Sequence, residues 1–347
     1  MHRSQARNFT LAAAFVVVML FLQGAALAQY KVTNLVANKA GHSTNLPDAH
    51  LVNAWGLTFG PGSPFWVSDN VTGLSTLYKA DGSKVPLEVA IPTASGRGTG
   101  SPTGIVFNGS NDFKVSKDGA SAPALFIFAT LDGTLSGWNP GVDPTHAIKA
   151  ADQSAHGVVY TGLAIASDLN WVYGADAANN KVDVYDGQFN LIFTFNDSTI
   201  PEGFTPYGIQ VINKKVYVTF ASPANVAGGF VDVFDEFGGS KHRLISNGVL
   251  NQPWGIAISP ANFGKFSNSL LITNNLPNGT INAFDPATGQ FRGKLRDRTN
   301  KVITINQIWG ITFGGGAPND GNTNQLFFTA GPNNYENGLF GVIEAVK

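Results

Sequence analysis

A short phrase that returns six times constrains this chain more than anything else in it. It reads Asn53-Ala54-Trp55-Gly56-Leu57, Ser101-Pro102-Thr103-Gly104-Ile105, Tyr160-Thr161-Gly162-Leu163, Thr205-Pro206-Tyr207-Gly208-Ile209, Gln252-Pro253-Trp254-Gly255-Ile256 and Gln307-Ile308-Trp309-Gly310-Ile311. The glycines follow one another at intervals of 48, 58, 46, 47 and 55 residues, close to the ~40–50-residue period of propeller blades. Each is followed by Leu or Ile, so it marks a fixed place in a repeated unit rather than a random turn. A glycine at the start of a strand permits either positive φ or a contact closer than a Cβ allows; the sequence leaves both open.

The rest of each unit reads as four strands. After each glycine comes a short apolar stretch, such as Leu57-Thr58-Phe59 or Ile256-Ala257-Ile258, expected as the inner strand. The next segments, 65–67, 125–128, 171–173, 216–218, 270–272 and 326–328, are more apolar still, as strands covered on both faces must be. Third strands alternate, as in Lys181-Val182-Asp183-Val184-Tyr185, which places one face partly in water. Outer strands are expected at 87–89, 157–159, 191–193, 242–245 and 291–295, with the small, polar stretch 149–156 as an excursion. That is one too few for six blades. Tyr30-Lys31-Val32-Thr33-Asn34-Leu35 alternates and precedes the first repeat; it is expected to be the outermost strand of the last blade, removing an exposed edge where the ring closes. The expectation is therefore all-β: a six-bladed β-propeller of four-stranded antiparallel blades over residues 29–347.

Arg3 and Arg7, the apolar run 11–22 and Ala26-Leu27-Ala28 read as a secretory signal over residues 1–28, cut before Gln29. The run is shorter than the ~20 apolar residues of a spanning helix, so no membrane span is expected in the mature chain, which would be secreted or periplasmic. Without those two arginines, 20 basic residues face 23 acidic ones, a net charge near −3. Nothing there attracts nucleic acid. With no cysteine, disulfides, thiol nucleophiles and thiolate zinc sites are excluded.

In a four-stranded up-and-down blade, the start of the inner strand and the turn from second to third strand lie on one face, the default binding face. The residues just before the six glycines are Trp55, Thr103, Thr161, Tyr207, Trp254 and Trp309. Four aromatics on adjacent blades form an arc faced by two threonines. Such rings either stack a sugar, aromatic or peptide group or plug the central channel and pack on each other. The same face carries Asp69, Asn70, Asp132, Asp176 and Asn274, oxygen ligands suited to a hard cation such as calcium, though Asp and Asn also favour turns for their own hydrogen bonding. The six histidines show no ligand spacing and no Ser-His-Asp set. Gly96-Arg97-Gly98-Thr99-Gly100 and Gly314-Gly315-Gly316 lack the strand-to-helix setting of phosphate loops.

The pattern Pro-x-Gly-Ile-Ala, an apolar strand ending in Asp or Asn, then Val-x-Val-Tyr/Phe-Asp resembles NHL-repeat and gluconolactonase-like six-bladed propellers. Residues 51–57, 100–108, 124–130 and 132–140 resemble more closely a family of uncharacterised secreted bacterial propeller proteins, with the match running from about Tyr30 to the end. This resemblance implies fold and export and brings no activity. The gluconolactonase-like likeness implies a central metal held by a carboxylate and amides, with a further acidic base. Here Asn53 stands where a Glu is expected, and Glu88, Glu202, Glu236, Glu336 and Glu344 fall on expected outer strands or loops. The leading expectation is thus a non-catalytic binding module for a glycan, peptide or envelope component at Trp55, Tyr207, Trp254 and Trp309. The alternative is a calcium-dependent lactonase or esterase-like hydrolase around Asp69, Asp132 and Asp176.

Overall fold

Six four-stranded antiparallel sheets stand in a ring, their inner strands Ala54–Thr58, Pro102–Phe107, Tyr160–Ile165, Thr205–Ile212, Pro253–Ile258 and Ile308–Phe313 each packed on the next and the sixth on the first. This computed structural model describes residues 29–45 and 47–346; the proposed signal segment lies outside them. No α-helix occurs among the described residues, only the 3₁₀ turns Ser154–His156 and Gly264–Phe266.

The expected closure is present. Gln29–Ala37 pairs antiparallel with Leu339–Val346, from Gln29 against Val346 to Ala37 against Leu339, as the outermost strand of the sixth blade. Tyr30 anchors this strand to the fifth blade, its hydroxyl donating to the Phe263 carbonyl at 2.9 Å and accepting from the Phe266 N–H at 3.0 Å.

Two segments differ from expectation. The outer strand of the second blade is Ile148–Asp152, not 157–159, which is loop. Ile-Lys-Ala-Ala-Asp has little intrinsic β-preference; it becomes a strand by pairing with Thr134–Trp138. The same blade also inserts a hairpin, Lys114–Lys117 with Ala120–Pro123, around Asp118 and Gly119, both at positive φ. In addition, Glu344 sits on the third strand of the sixth blade, accepting from Gln325 Nε2 at 2.8 Å, rather than on an outer strand or loop.

Second strands are buried end to end in the first, second, third and fifth blades, as their unbroken apolar runs require. Aliphatic side chains fill most of the space between blades, with aromatic contacts among them. Trp66 of the first blade stacks on Phe126 of the second with centroids 4.1 Å apart, and Phe65 meets Phe327 of the sixth at 4.3 Å.

The glycine phrase turns out to be a recurring β-bulge. In the fifth blade Pro253 pairs with Asn274 and Ile256 with Ile272, so Trp254 and Gly255 together oppose the single residue Thr273; the same skip occurs at the inner strand of every blade. A bulge re-aims a side chain, here the residue before each glycine. None of the six glycines has positive φ, so close approach is the reason for them. A Cβ on Gly208 would lie 2.0 Å from the Trp254 carbonyl oxygen, on Gly255 2.5 Å from that of Trp309, on Gly310 3.0 Å from that of Trp55, and on Gly56 2.2 Å from that of Thr103. Each blade thus rests its glycine on the backbone of the next.

Candidate functional site

A hydroxyl relay holds the bulges of the fifth and sixth blades in register. In the fifth blade the Gly255 N–H donates to Thr273 Oγ1 at 2.7 Å, which donates to the Trp309 carbonyl at 2.9 Å. In the sixth, Gly310 donates to Thr329 Oγ1 at 3.0 Å, which donates to the Trp55 carbonyl at 2.6 Å. In the second and third blades Ala129 and Ala175 occupy that second-strand place, and the hydroxyl has moved to the inner strand. There Thr103 Oγ1 donates to the Tyr160 carbonyl at 2.8 Å and Thr161 Oγ1 to that of Pro206 at 3.3 Å. Thr103 and Thr161 are therefore buried backbone ties.

The aromatics converge at the axis and fill one end of the channel. Trp55 stacks on Trp309 with centroids 3.8 Å apart; Trp254 meets both edge-on at 6.3 and 5.8 Å; Tyr207 reaches Trp309 at 5.8 Å. All three tryptophans are buried, while Tyr207 stays half-buried at the rim. Tyr335, not singled out in the sequence, joins at 5.6 Å from Trp309 and donates to Asn275 Oδ1 at 2.7 Å. Burial pushes the Tyr207 hydroxyl far above its ordinary range, so it stays a neutral donor.

A collar of amides supports this plug. Asn53, Gln252 and Gln307, each two residues before a tryptophan, take left-handed backbone at φ 50°, 51° and 49°, a conformation that non-glycine residues adopt only when their surroundings enforce it. Asn53 Oδ1 accepts from Trp309 Nε1 at 2.9 Å, and its Nδ2 donates to Asn70 Oδ1 at 3.1 Å. Trp254 Nε1 donates to the Thr161 carbonyl at 2.8 Å. The third indole differs: Trp55 Nε1 is buried and finds no partner among the described residues.

Most of the oxygen-bearing residues are engaged in hydrogen bonds within and between blades. Asn70 Nδ2 donates to the Pro102 carbonyl at 3.1 Å, and Asn274 Nδ2 to that of Val249 at 2.7 Å. Asp176 accepts from Val159 N–H at 3.2 Å and Asn179 Nδ2 at 2.7 Å, and Asp132 from Ala94 N–H at 2.7 Å. Asp69 is fully buried against Thr76 at 2.7 Å, and burial holds its carboxyl well above the ordinary range. Among the described residues, one group of three acid or histidine side chains brings ligand atoms within 4.8 Å of one another: Asp48, His50 and Glu88. It already holds a cation, for Lys84 Nζ lies 2.7 Å from Asp48 and 2.6 Å from Glu88.

The opposite end of the channel is open. A cavity of about 450 Å³ is lined by the far ends of all six inner strands, including Phe59, Phe107, Gln210 and Phe313. A narrower space farther in is lined by Gly56, Gly104, Gly255 and Gly310 with Leu57, Ile105, Leu163, Ile209, Ile256 and Ile311, and by Gln210 and Trp254.

No family model matches the chain. The "Uncharacterized protein L690" of Acanthamoeba polyphaga mimivirus is 32% identical over 336 residues, covering 91% of this chain and 86% of that protein. Among solved structures, virginiamycin B lyase from Staphylococcus aureus superposes with a TM-score of 0.53 at 13% identity, covering 92% of this chain and 99% of the other. A gluconolactonase from Xanthomonas campestris superposes with a TM-score of 0.54 at 12% identity, covering 86% and 88%. Likeness at that identity is likeness of fold, and it agrees with the six-bladed ring.

Proposed function

This chain belongs to the family of the mimivirus protein L690, and from that premise we propose that it is an exported, non-catalytic binding module that takes a neutral glycan or peptide group at the aromatic end of its channel. The observation that carries this reading is the Trp55 N–H. Two of the three plug indoles donate to fixed protein oxygens, whereas that of Trp55 is buried without a partner among the described residues. A buried donor left unpaired costs about 1–3 kcal/mol, a cost that a ligand oxygen relieves once the plug parts to admit it. Half-buried Tyr207 offers a second neutral donor and a ring face beside it. Donors of this kind match hydroxyl and carbonyl oxygens rather than an ionised group. Export rests on the residue 1–28 pattern; mass spectrometry of protein recovered outside the producing cell should find Gln29 at its N-terminus.

The binding test is intrinsic tryptophan fluorescence during titration with a set of neutral oligosaccharides and a set of short peptides. A saturable change with a member of either set is expected. Trp55→Phe, which keeps the stacking and removes the N–H, should weaken that binding about tenfold, the equivalent of ~1.4 kcal/mol. Equal affinity in wild type and Trp55→Phe, or no binding from either set, overturns the proposal.

A further inference from the structure

We infer that the free edge of the closing strand is a docking groove for an extended, acidic peptide segment, which it takes up as an added strand. Gln29–Ala37 pairs with Leu339–Val346 on one side and is the outermost strand of its sheet. In an antiparallel ladder the main-chain groups of alternate residues turn away from the partner strand. Tyr30 and Asn34 identify that outward set. The Tyr30 N–H donates to the Arg296 carbonyl at 2.9 Å, and the Asn34 carbonyl accepts from the Thr44 N–H at 3.0 Å. Between these two ties, the Tyr30 carbonyl, both main-chain groups of Val32 and the Asn34 N–H have no protein partner among the described residues. At ~3.3 Å per residue the open stretch from Tyr30 to Asn34 is ~13 Å long, enough for a short extended segment.

The surroundings suit a slender chain. Two adjoining hollows of about 540 and 720 Å³ lie along this stretch and share Lys31, Val32 and Thr304. The loop 297–304 borders the first and the loop 41–44 the second. Val32, Val302 and Pro332 are half-buried on these walls, so each keeps apolar surface for alternate side chains of a guest. Strand addition works in this way, with main-chain bonds supplying affinity and side-chain hollows supplying selection.

Charge decides which guest fits. Lys31, Arg298 and Lys301 are exposed around the first hollow and form no ion pair among the described residues. Asp297, the acid of that hollow, is held by its own turn, accepting from the Thr299 and Lys301 N–H groups at 2.8 and 3.0 Å. The second hollow contains no acidic residue. A guest carrying carboxylates therefore meets unpaired cations, whereas a second copy of this edge would set the same three cations against each other.

The test is fluorescence anisotropy of the whole chain with three fluorescein-labelled peptides: three Glu-Val repeats, three Lys-Val repeats, and the Glu-Val peptide N-methylated at every residue. Saturable binding of the Glu-Val peptide is expected. Reversed charge and lost main-chain donors should each weaken it about tenfold or more. Val32→Pro removes one outward N–H at a place where an edge strand tolerates proline, and should weaken the Glu-Val peptide to a similar degree; if that variant does not fold, the N-methylated peptide answers the same question. Arg298→Glu combined with Lys301→Glu, both on the exposed loop, should also weaken binding while thermal unfolding stays unchanged. Absence of saturable Glu-Val binding, equal affinity for either control peptide, or unchanged affinity in the folded charge-reversed variant overturns the assignment. So does light scattering that shows a dimer, if Val32→Pro dissociates it, since the occupant would then be a second copy. Trp55→Phe should leave Glu-Val affinity unchanged, so this groove and the aromatic end of the channel succeed or fail separately.

Discussion

Trp55 and Trp309 lie nearly parallel, 3.8 Å apart at their centroids and 19° apart in plane, across the seam where the first blade meets the last. The same seam is tied by Thr329 Oγ1 to the Trp55 carbonyl and by Trp309 Nε1 to Asn53 Oδ1. Ring closure and channel closure are therefore one structure.

Removing the Trp309 ring should test that coupling. Trp309 is 2% exposed, and Trp309→Ala leaves a cavity against Trp55, Trp254, Tyr207 and Tyr335, with an expected loss of ~3–5 kcal/mol. Trp309→Phe keeps much of the stack and strands Asn53 Oδ1, so ~1–3 kcal/mol is expected. Urea unfolding of the two variants measures both; equal losses would mean that the ring stack contributes nothing beyond the Asn53 bond.

The glycine ring makes a graded prediction. A Cβ on Gly208 would fall 2.0 Å from a backbone oxygen, whereas one on Gly162 meets nothing nearer than 3.1 Å. Backbone cannot rotate aside as a side chain can, so Gly208→Ala should cost ~3 kcal/mol or more and Gly162→Ala ~1 kcal/mol or less. Thermal and urea unfolding should rank them in that order. The reverse order would indicate that glycine is required for reasons other than close approach.

How much of this was written in the sequence follows from which interactions are local. The phrase around Gly56 and its five counterparts was legible because one physical demand, close backbone approach at an axis, acts at the same register in every blade. The closing strand at Tyr30 was legible because a period-two segment stood without a blade. Ile148–Asp152 was not, since its identity as a strand comes from its partner Thr134–Trp138 and not from its own residues. The hairpin around Asp118-Gly119 did carry a signal, an Asp-Gly turn between short extended segments, which the blade pattern obscured. Convergence of Trp55, Tyr207, Trp254 and Trp309 could be read from spacing. That three of them bury each other, and that the open cavity lies beyond Phe59 and Phe313, depends on the width of the channel, which no single segment encodes.

The carboxylates of the fourth blade predict a pH dependence with a definite sign. Asp232 is fully buried, with one oxygen on Arg243 and the other without a partner among the described residues. Burial, then the neighbouring Asp197 carboxyl, pushes its carboxyl up to about 7. Burial acts on Asp197 in the same upward direction, yet the neighbouring Asp232 carboxyl, Lys241 and Thr199 hold it below the ordinary range. The folded chain thus keeps a proton on Asp232 up to about pH 7, while the unfolded chain loses it near pH ~4. The contribution of Asp232 to stability is complete below pH ~4 and is lost as pH rises through about 7; that of Asp197 runs the other way, present above pH ~4 and lost in acid. Asp232→Asn holds the site neutral at every pH. Urea unfolding at pH 5, 6, 7 and 8 should therefore show the variant improving steadily relative to wild type as pH rises. A constant difference across that range would mean that Asp232 is already ionised in the folded protein at pH 5, with Arg243 neutralising it throughout.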